Sequence, residues 1–384
     1  MAKHALLSAS SAYRWLNCTP SARLTEHMED TQSVYATEGT LAHELAELEL
    51  KYQLKLIDKT TYSKQLQMFK SHALYSEEMP EEVEKYVNFV FEQFMEAQSH
   101  TADALIFLEQ ELDFSRWVPE GFGTGDCIII ADGTMEVIDL KYGKGVEVSA
   151  ENNPQMMLYA LGALEEYGFI YDINSVRMTI AQPRLNNFST WETSVDNLLA
   201  WAEGELKEKA QAAWEGAGEF VAGDWCMFCK IKATCKARAK AMLAIADSYQ
   251  QRGPHLLTIE EIAEILHKAE EIQSWAKDIQ EYALEQARDY GVKFPGWKLV
   301  EGRSNRKYTD EDEVATVLIN EGFTEEEIYI KKLKSITDME KTLGKKRFNT
   351  LLKDFIIKPP GKPTLVVESD KRPEINSVEA EFDL

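Results

Sequence analysis

Two aspartates and a lysine lie around a predicted turn in the segment 123–141, GTGDCIIIADGTMEVIDLK. The Asp-Gly pair at 132–133 indicates a β-hairpin, because it favours the backbone conformation of a tight two-residue turn. Side chains alternate along a strand, so Asp139 and Lys141 share one face, and the hairpin can bring Asp126 beside them. Paired carboxylates bind Mg²⁺, and a nearby lysine can orient or deprotonate a water molecule. The alternative interpretation is the charged, solvated edge of an ordinary sheet.

Two predicted helices carry polar residues at helical spacing. The segment 35–55 has the apolar spacing of an amphipathic helix and contains His43. The segment 154–167 begins with proline and is predicted to be a second helix, with Gln155 and Tyr159 four residues apart on one face. Without further information, the histidine could equally be structural, and the glutamine and tyrosine an ordinary polar edge.

The cysteines form the most specific local pattern in the chain. Cys226, Cys229 and Cys235 follow a C-x₂-C-x₅-C spacing, which indicates a metal or cluster site that needs a fourth ligand. Cys127 lies in the predicted hairpin and should point to its buried face, so we interpret it as a core residue. Cys18 is then the candidate for the fourth ligand. An odd number of unevenly spaced cysteines favours a cytosolic metal protein over a disulfide scaffold.

Composition restricts the class of protein. The chain has 384 residues, 44% of them hydrophobic, and a net charge of −23. This charge argues against nonspecific coating of nucleic acid but permits an enzyme with a local basic groove. The sequence contains neither a long apolar run nor a secretory signal, so we expect a cytoplasmic protein without membrane contact.

Basic residues in two segments are candidates for DNA contacts, although both segments could be solvated surface. These residues are Lys230, Lys232, Lys236, Arg303, Arg306 and Lys307.

The order of predicted elements defines the fold class. A strand at 104–114, the hairpin, the helix at 154–167 and strands at 175–182 and 188–193 predict an α/β (α+β) fold, a small mixed sheet flanked by helices. We expect three parts. They are a domain at 1–250 with the cysteine cluster, a mainly helical domain at 251–357, and an extended tail at 358–384.

Taken together, these residues resemble the RecB-like branch of the PD-(D/E)xK nucleases, which includes the AddB nuclease domain, iron–sulfur CRISPR-associated exonucleases and phage lambda-type exonucleases. The resemblance covers about residues 8–240 and also extends to a phage and prophage family of this class. Its motifs are Gly39-x₃-His43, Gly125-Asp126, Asp139-Leu140-Lys141 and Gln155-x₃-Tyr159. Cys18-Thr19-Pro20 with the three later cysteines is similar to the staple of the iron–sulfur subgroup. One departure is Ile138, where the family pattern has proline.

The resemblance implies a restriction-endonuclease-like core with a Mg²⁺ or Mn²⁺ centre. The implied metal ligands are His43, Asp126, Asp139 and the carbonyl of Leu140. Lys141 would orient the attacking water, while Gln155 and Tyr159 would position the DNA backbone or Lys141. Cys18, Cys226, Cys229 and Cys235 would hold a structural 4Fe–4S cluster, for which Zn²⁺ is the alternative because it also binds four thiolates.

The expected function is therefore a metal-dependent deoxyribonuclease. The first expectation is an exonuclease that processes duplex or single-stranded DNA ends for phage recombination or replication. The alternatives are an endonuclease or defence nuclease of the same fold, a catalytically silent DNA-binding protein, and a zinc-stabilised adaptor. Self-association, and a phage recombination or single-strand-binding partner, are open expectations about assembly.

Overall fold

The structure is a computed structural model that describes residues 5–28, 34–250, 258–300, 308–330 and 332–357. The chain divides into two compact units, 1–299 and 300–384. Within the described residues, no helix has the length and apolar character needed to cross a membrane.

A five-stranded mixed sheet forms the centre of the first unit, as the sequence predicts. The strands are β1 (Leu105–Asp113), β2 (Phe122–Ala131), β3 (Gly133–Leu140), β4 (Ile173–Gln182) and β5 (Asn187–Ser194), and they lie side by side in chain order. Only the β3–β4 pair is parallel, and the other neighbours are antiparallel. A parallel pair needs a crossover, which is supplied by the helix Pro154–Tyr167.

Each face of the sheet packs against helices. One face presents Ile128, Met135 and Val137 to a core shared with the crossover helix. The opposite face presents Cys127, Ile129 and Ile138 to a second core. Cys127 is fully buried there, which confirms its interpretation as a core residue.

The helices of the first unit follow the predicted order. They are α1 (Ala12–Asn17), α2 (Ser21–Leu24), α3 (Val34–Gln53), α4 (Lys59–Lys70), α5 (Met79–His100), α6 (Pro154–Tyr167), α7 (Val195–Trp201), α8 (Lys207–Glu215), α9 (Lys236–Gln250) and α10 (Ile259–Asp289). Helices α3 and α5 cover the Cys127 face through apolar stripes that include Leu45 and Val87. Asn153 caps α6 by accepting from the amides of its first turn.

The boundary between the units lies at 299, later than the predicted boundary at 250. Helix α10 lies in the first unit, and its Asp278 is bound by Arg238 and Lys232, which are close in sequence to Cys229 and Cys235. Arg238 Nη1 lies 2.5 Å from Asp278 Oδ2, and Lys232 Nζ lies 2.9 Å from Oδ1. Both Arg238 and Asp278 are largely buried, so this ion pair is screened little by solvent.

The second unit is helical in its described part, as expected. It contains α11 (Glu311–Asn320), α12 (Glu325–Ile328), α13 (Ile336–Leu343) and α14 (Lys345–Leu352). Gly344 joins the last two helices with a φ of 75°, a conformation that glycine adopts without strain. The tail predicted at 358–384 lies outside the described residues.

Candidate metal centre

The two predicted aspartates meet where the β2–β3 ladder ends. The last regular pair of this ladder is Cys127 with Ile138, so Asp126 and Asp139 follow immediately beyond it. The amide N–H of Leu140 donates a 2.6 Å hydrogen bond to Asp126 Oδ2. A side-chain carboxylate thus takes the place of a backbone acceptor and holds the two strand ends together.

Helix α3 brings His43 to the same carboxylate. His43 Nδ1 lies 3.3 Å from Asp126 Oδ2. Burial lowers the pKa of His43, but the charge of Asp126 and its hydrogen bond outweigh burial and raise that pKa to about 9, with a further contribution from Asp139. Without a bound cation, the imidazole is therefore protonated at neutral pH and partly neutralises the carboxylates.

Asp139 is the most buried member of the group and contacts two predicted partners. Gln155 Nε2 donates to Asp139 Oδ1 at 3.1 Å, and Lys141 Nζ lies 2.8 Å from Asp139 Oδ2. Burial raises the pKa of Asp139, and the Lys141 ammonium opposes that shift. Apart from this ion pair with Lys141, the buried Oδ2 has no further partner among the described residues. This oxygen is available to a further ligand.

Gln155 and Tyr159 act as one unit on α6. Gln155 Nε2 is also 3.3 Å from the hydroxyl of Tyr159, whose ring is largely buried. The ring packs against β2 at Gly123, where an added Cβ would lie 2.9 Å from Tyr159 Cε1. Gly123 is a part of the site that motif spacing did not reveal.

Glu109 is a second residue that the sequence did not identify as part of the site. His43, Glu109 and Asp126 each offer a ligand atom, and these three atoms lie within 4.8 Å of one another. Burial, followed by repulsion from Asp126, raises the pKa of Glu109 to about 7. The sequence gives little indication of Glu109. Strand alternation places Glu109 and Glu111 on the same face of β1, and Glu111 is exposed.

The four predicted cluster cysteines occupy one region. Cys18, Cys226 and Cys229 are buried, and Cys235 is half-buried. Burial raises the pKa of the Cys229 thiol, and the neighbouring thiols Cys18 and Cys235 raise it further. Cys226 experiences the same combination of burial and nearby thiols. Within the described residues, no three of these sulfur atoms lie within 4.8 Å of one another.

Hydrogen bonds and ring contacts hold Cys18 near the distant cysteines. Thr19 Oγ1 donates to the carbonyl of Ala217 at 2.6 Å. Lys230 Nζ donates to the carbonyl of Met28 at 2.6 Å. Near these bonds, the Tyr13 ring meets the Trp225 ring edge-on with centroids 6.0 Å apart. The N-terminal segment is therefore joined to the chain that follows the sheet.

The predicted basic contacts have different surroundings. Lys230 and Lys232 are engaged within the protein, at Met28 and Asp278 respectively. Lys236 is exposed on α9. Arg303, Arg306 and Lys307 lie outside the described residues.

A search of solved structures finds a chain titled "Crystal structure of SSO0001". The match covers 59% of this chain and 96% of that one, at 13% identity and a TM-score of 0.21. A TM-score this low supports no conclusion about fold or function.

The family comparison covers nearly the whole sequence. The family described as "Protein of unknown function (DUF2800)" matches residues 4–373. The chain therefore belongs to the DUF2800 family.

Proposed function

We propose that this protein is a metal-dependent DNA nuclease. The observation that carries the proposal is the contact of two carboxylates with groups from three different elements at one end of the sheet. Asp126 binds His43 of α3, and Asp139 binds Lys141 beside it and Gln155 of α6. A merely solvated sheet edge would leave its carboxylates in water. Here Asp139 is 3% exposed, and burying such a group is costly without a compensating ligand.

The donor set fits a divalent cation. His43, Asp126, Asp139 and the carbonyl of Leu140 would hold it, and the buried Asp139 Oδ2, whose described partner is Lys141 alone, is an oxygen suited to that role. One imidazole among oxygen ligands favours Mn²⁺ as well as Mg²⁺. A bound cation lowers the pKa of a coordinated water and neutralises charge on the scissile phosphate.

The other polar residues have separate roles in this proposal. Lys141 is partly exposed while its ammonium contacts Asp139, so it can hold a water molecule on the solvent side of the carboxylate. Gln155 fixes the orientation of Asp139 through its amide N–H. Tyr159 fixes Gln155 in turn and is a positioning residue.

The cysteine region is proposed to hold a structural 4Fe–4S cluster, with a single zinc ion as the alternative because zinc also binds four thiolates. The preference for iron–sulfur rests on the resemblance of the cysteine motifs to the iron–sulfur subgroup. It is supported by the position of Cys18 near Cys229 and Cys235, whose thiols act on one another. The role of such a cluster would be to join the N-terminal segment to the end of the nuclease core.

We further propose that the substrate is a DNA end, processed in phage recombination or replication within a bacterial cytosol. An exonuclease is the first candidate, and an endonuclease or defence nuclease of the same fold is the second. A net charge of −23 requires that DNA contact be confined to a local groove. Exposed Lys236 is a candidate contact, whereas the engagement of Lys230 and Lys232 within the fold gives them a structural role as well.

The test compares wild type with Lys141→Ala on end-labelled linear, closed circular and single-stranded DNA, with Mg²⁺ or Mn²⁺. Lys209→Ala is a matched control, because Lys209 is a surface lysine paired with Glu205 on α8. We expect linear DNA to be degraded from its ends, with a loss of at least about a hundredfold in Lys141→Ala and none in the control. Cleavage of circles would favour the endonuclease. Absence of metal-dependent cleavage by wild type would refute the proposed activity.

A further inference from the structure

We propose that His43, Glu109 and Asp126 form a divalent-cation site of their own, which does not require Asp139. The inference deepens the proposed function, on which it rests, because it assigns a second cation to the α3 side of Asp126, beside the cation that Asp139 would help to hold. Its chemistry is one imidazole nitrogen with two carboxylate oxygens, a set that suits Mn²⁺ in particular.

The side chains of His43, Glu109 and Asp126 lie close together around one pocket. Their ligand atoms lie within 4.8 Å of one another, and they line one pocket together with Leu50 and Tyr86. Asp139 is not among these three ligands, and its oxygens contact Gln155 Nε2 and Lys141 Nζ. Asp126 thus lies between two sets of groups.

Tyr86 supplies an independent observation in the same pocket. Its side chain is 1% exposed, yet its hydroxyl has no hydrogen-bond partner among the described residues. A buried hydroxyl without a partner is costly in an apolar surrounding. A cation held by the three ligands would bring coordinated water into the pocket, and that water could bind the Tyr86 hydroxyl.

The backbone of Glu109 is also unusual. Leu108 pairs with Cys127 and Gln110 pairs with Gly125, so Glu109 occupies the position opposite Asp126. Its φ is 50°, a left-handed conformation that interrupts the strand and that a glutamate rarely adopts. Such strain persists where surrounding structure enforces it and is common at ligand sites.

Charged neighbours do not neutralise Glu109 fully. Glu47 lines the same pocket and pairs with Lys51 at 2.5 Å on the exposed side of α3. With Glu47 paired to Lys51, the carboxylates of Glu109 and Asp126 face the single imidazole of His43, a pair of acidic groups that a divalent cation could bind.

The test measures Mn²⁺ binding directly, by titration calorimetry on the full chain at pH 8. We expect Glu109→Gln to weaken binding at this site by at least about tenfold, since even outer-shell partners of metal ligands contribute that much. Glu111→Gln is the matched control, because Glu111 is exposed two residues further along the same strand. It should bind as wild type does. Unchanged binding in Glu109→Gln would overturn the inference.

Asp139→Asn tests the independence of the site and does not depend on the folding of the Glu109 variant. This variant should still bind one Mn²⁺ within about threefold of the wild-type affinity, and pulsed electron paramagnetic resonance should detect an imidazole nitrogen on that ion. Loss of all Mn²⁺ binding, or absence of the nitrogen signal, would contradict the proposal. Both readouts are independent of DNA cleavage, so a protein that binds Mn²⁺ in this way but cleaves no DNA would refute the proposed function alone.

Discussion

Asp126 accepts the backbone N–H of Leu140 at 2.6 Å while its same oxygen, Oδ2, lies 3.3 Å from the imidazole of His43. One carboxylate therefore joins a strand of the sheet to a helix on its surface. Because the two contacts are made by one atom, the position of His43 depends on the local pairing of β2 with β3. The stability of this part of the fold and the geometry of the proposed metal centre are linked at Asp126.

Replacing Asp126 should separate these two roles. Asp126→Asn keeps an oxygen that can accept from Leu140, so we expect near-normal stability with a loss of cleavage of at least about a hundredfold. Asp126→Ala also leaves the Leu140 N–H without an acceptor. An unsatisfied buried donor should lower the unfolding free energy by a further amount of about 1–3 kcal/mol. Urea unfolding and the DNA assay measure the two effects. Cleavage at the wild-type rate by Asp126→Asn would contradict the assignment.

Replacing Gln155 should lower the rate of DNA cleavage more than it lowers the stability of the fold. Gln155→Ala removes the N–H that orients Asp139 Oδ1, and we expect cleavage to fall about 10–100-fold with a small change in Tm. Gln155→Glu should be worse, because a second carboxylate would face Asp139. Gln211→Ala, at an exposed glutamine of α8 that pairs with Glu215, is the control. Equal rates for the alanine and glutamate variants would argue against a role in orienting Asp139.

Gly123 should tolerate no side chain. An added Cβ would lie 2.9 Å from the Tyr159 ring, so Gly123→Ala must displace that ring or the strand. We expect a loss of about 1–3 kcal/mol in unfolding free energy together with reduced cleavage. At Gly204 an added Cβ meets no atom within 4 Å, so Gly204→Ala is a suitable control. Similar melting temperatures for the two variants would show that Tyr159 adjusts without cost.

Glu136 should give the protein a measurable pH dependence outside the metal centre. Its side chain is buried on β3, where it accepts from Thr179 Oγ1 at 3.0 Å. Burial raises the pKa of Glu136 to about 7, although Arg177 and Thr179 oppose the shift. The folded state therefore holds a proton that the unfolded chain has released, and the contribution of Glu136 to stability falls as the pH rises from about 4.5 to 7.

Glu136→Gln removes this titration and keeps an oxygen for Thr179. We expect the variant to match wild type below about pH 4.5 and to be more stable above pH 7, by at most about 3 kcal/mol. Thermal melts across that range measure the difference. A stability difference that does not change with pH would exclude Glu136 as the titrating group.

The cysteines should divide into ligands and a core residue. Cys18→Ser should lose the absorbance near 400 nm and the iron of an anaerobic preparation, because the proposed cluster loses a ligand. Cys127→Ala should retain both, because Cys127 is fully buried between the sheet and its covering helices. Equal iron content in the two variants would remove Cys18 from the ligand set, and a colourless wild type with one zinc per chain would favour the alternative metal.

Strand alternation was sufficient to predict the mixed sheet and the meeting of Asp126, Asp139 and Lys141, because it is a local property, whereas the placement of Gln155 beside them came from the family resemblance. The sequence also placed Cys127 in the core, since alternation assigns it to the face opposite Asp126. Glu109 was missed because its left-handed backbone, with a φ of 50°, departs from the regular strand pattern on which sequence alternation relies.

A long-range ion pair joins Asp278 of α10 to Arg238, 40 residues earlier in the sequence. No periodicity reveals such a pair. The same contact explains why Lys232, predicted from its charge alone to contact DNA, is engaged with the fold. Charge clusters in a sequence identify basic segments, but they do not distinguish an exposed groove from an internal anchor.

The contacts of the N-terminal segment also constrain how the chain acquires its structure during synthesis. Thr19 binds the carbonyl of a residue 198 positions later, and Met28 accepts from a lysine 202 positions later. At about 5–20 residues per second, the ribosome needs on the order of 10–40 s to deliver those partners. During this time the N-terminal helices lack these two contacts. The first unit is therefore completed late, after most of its sheet has emerged from the ribosome.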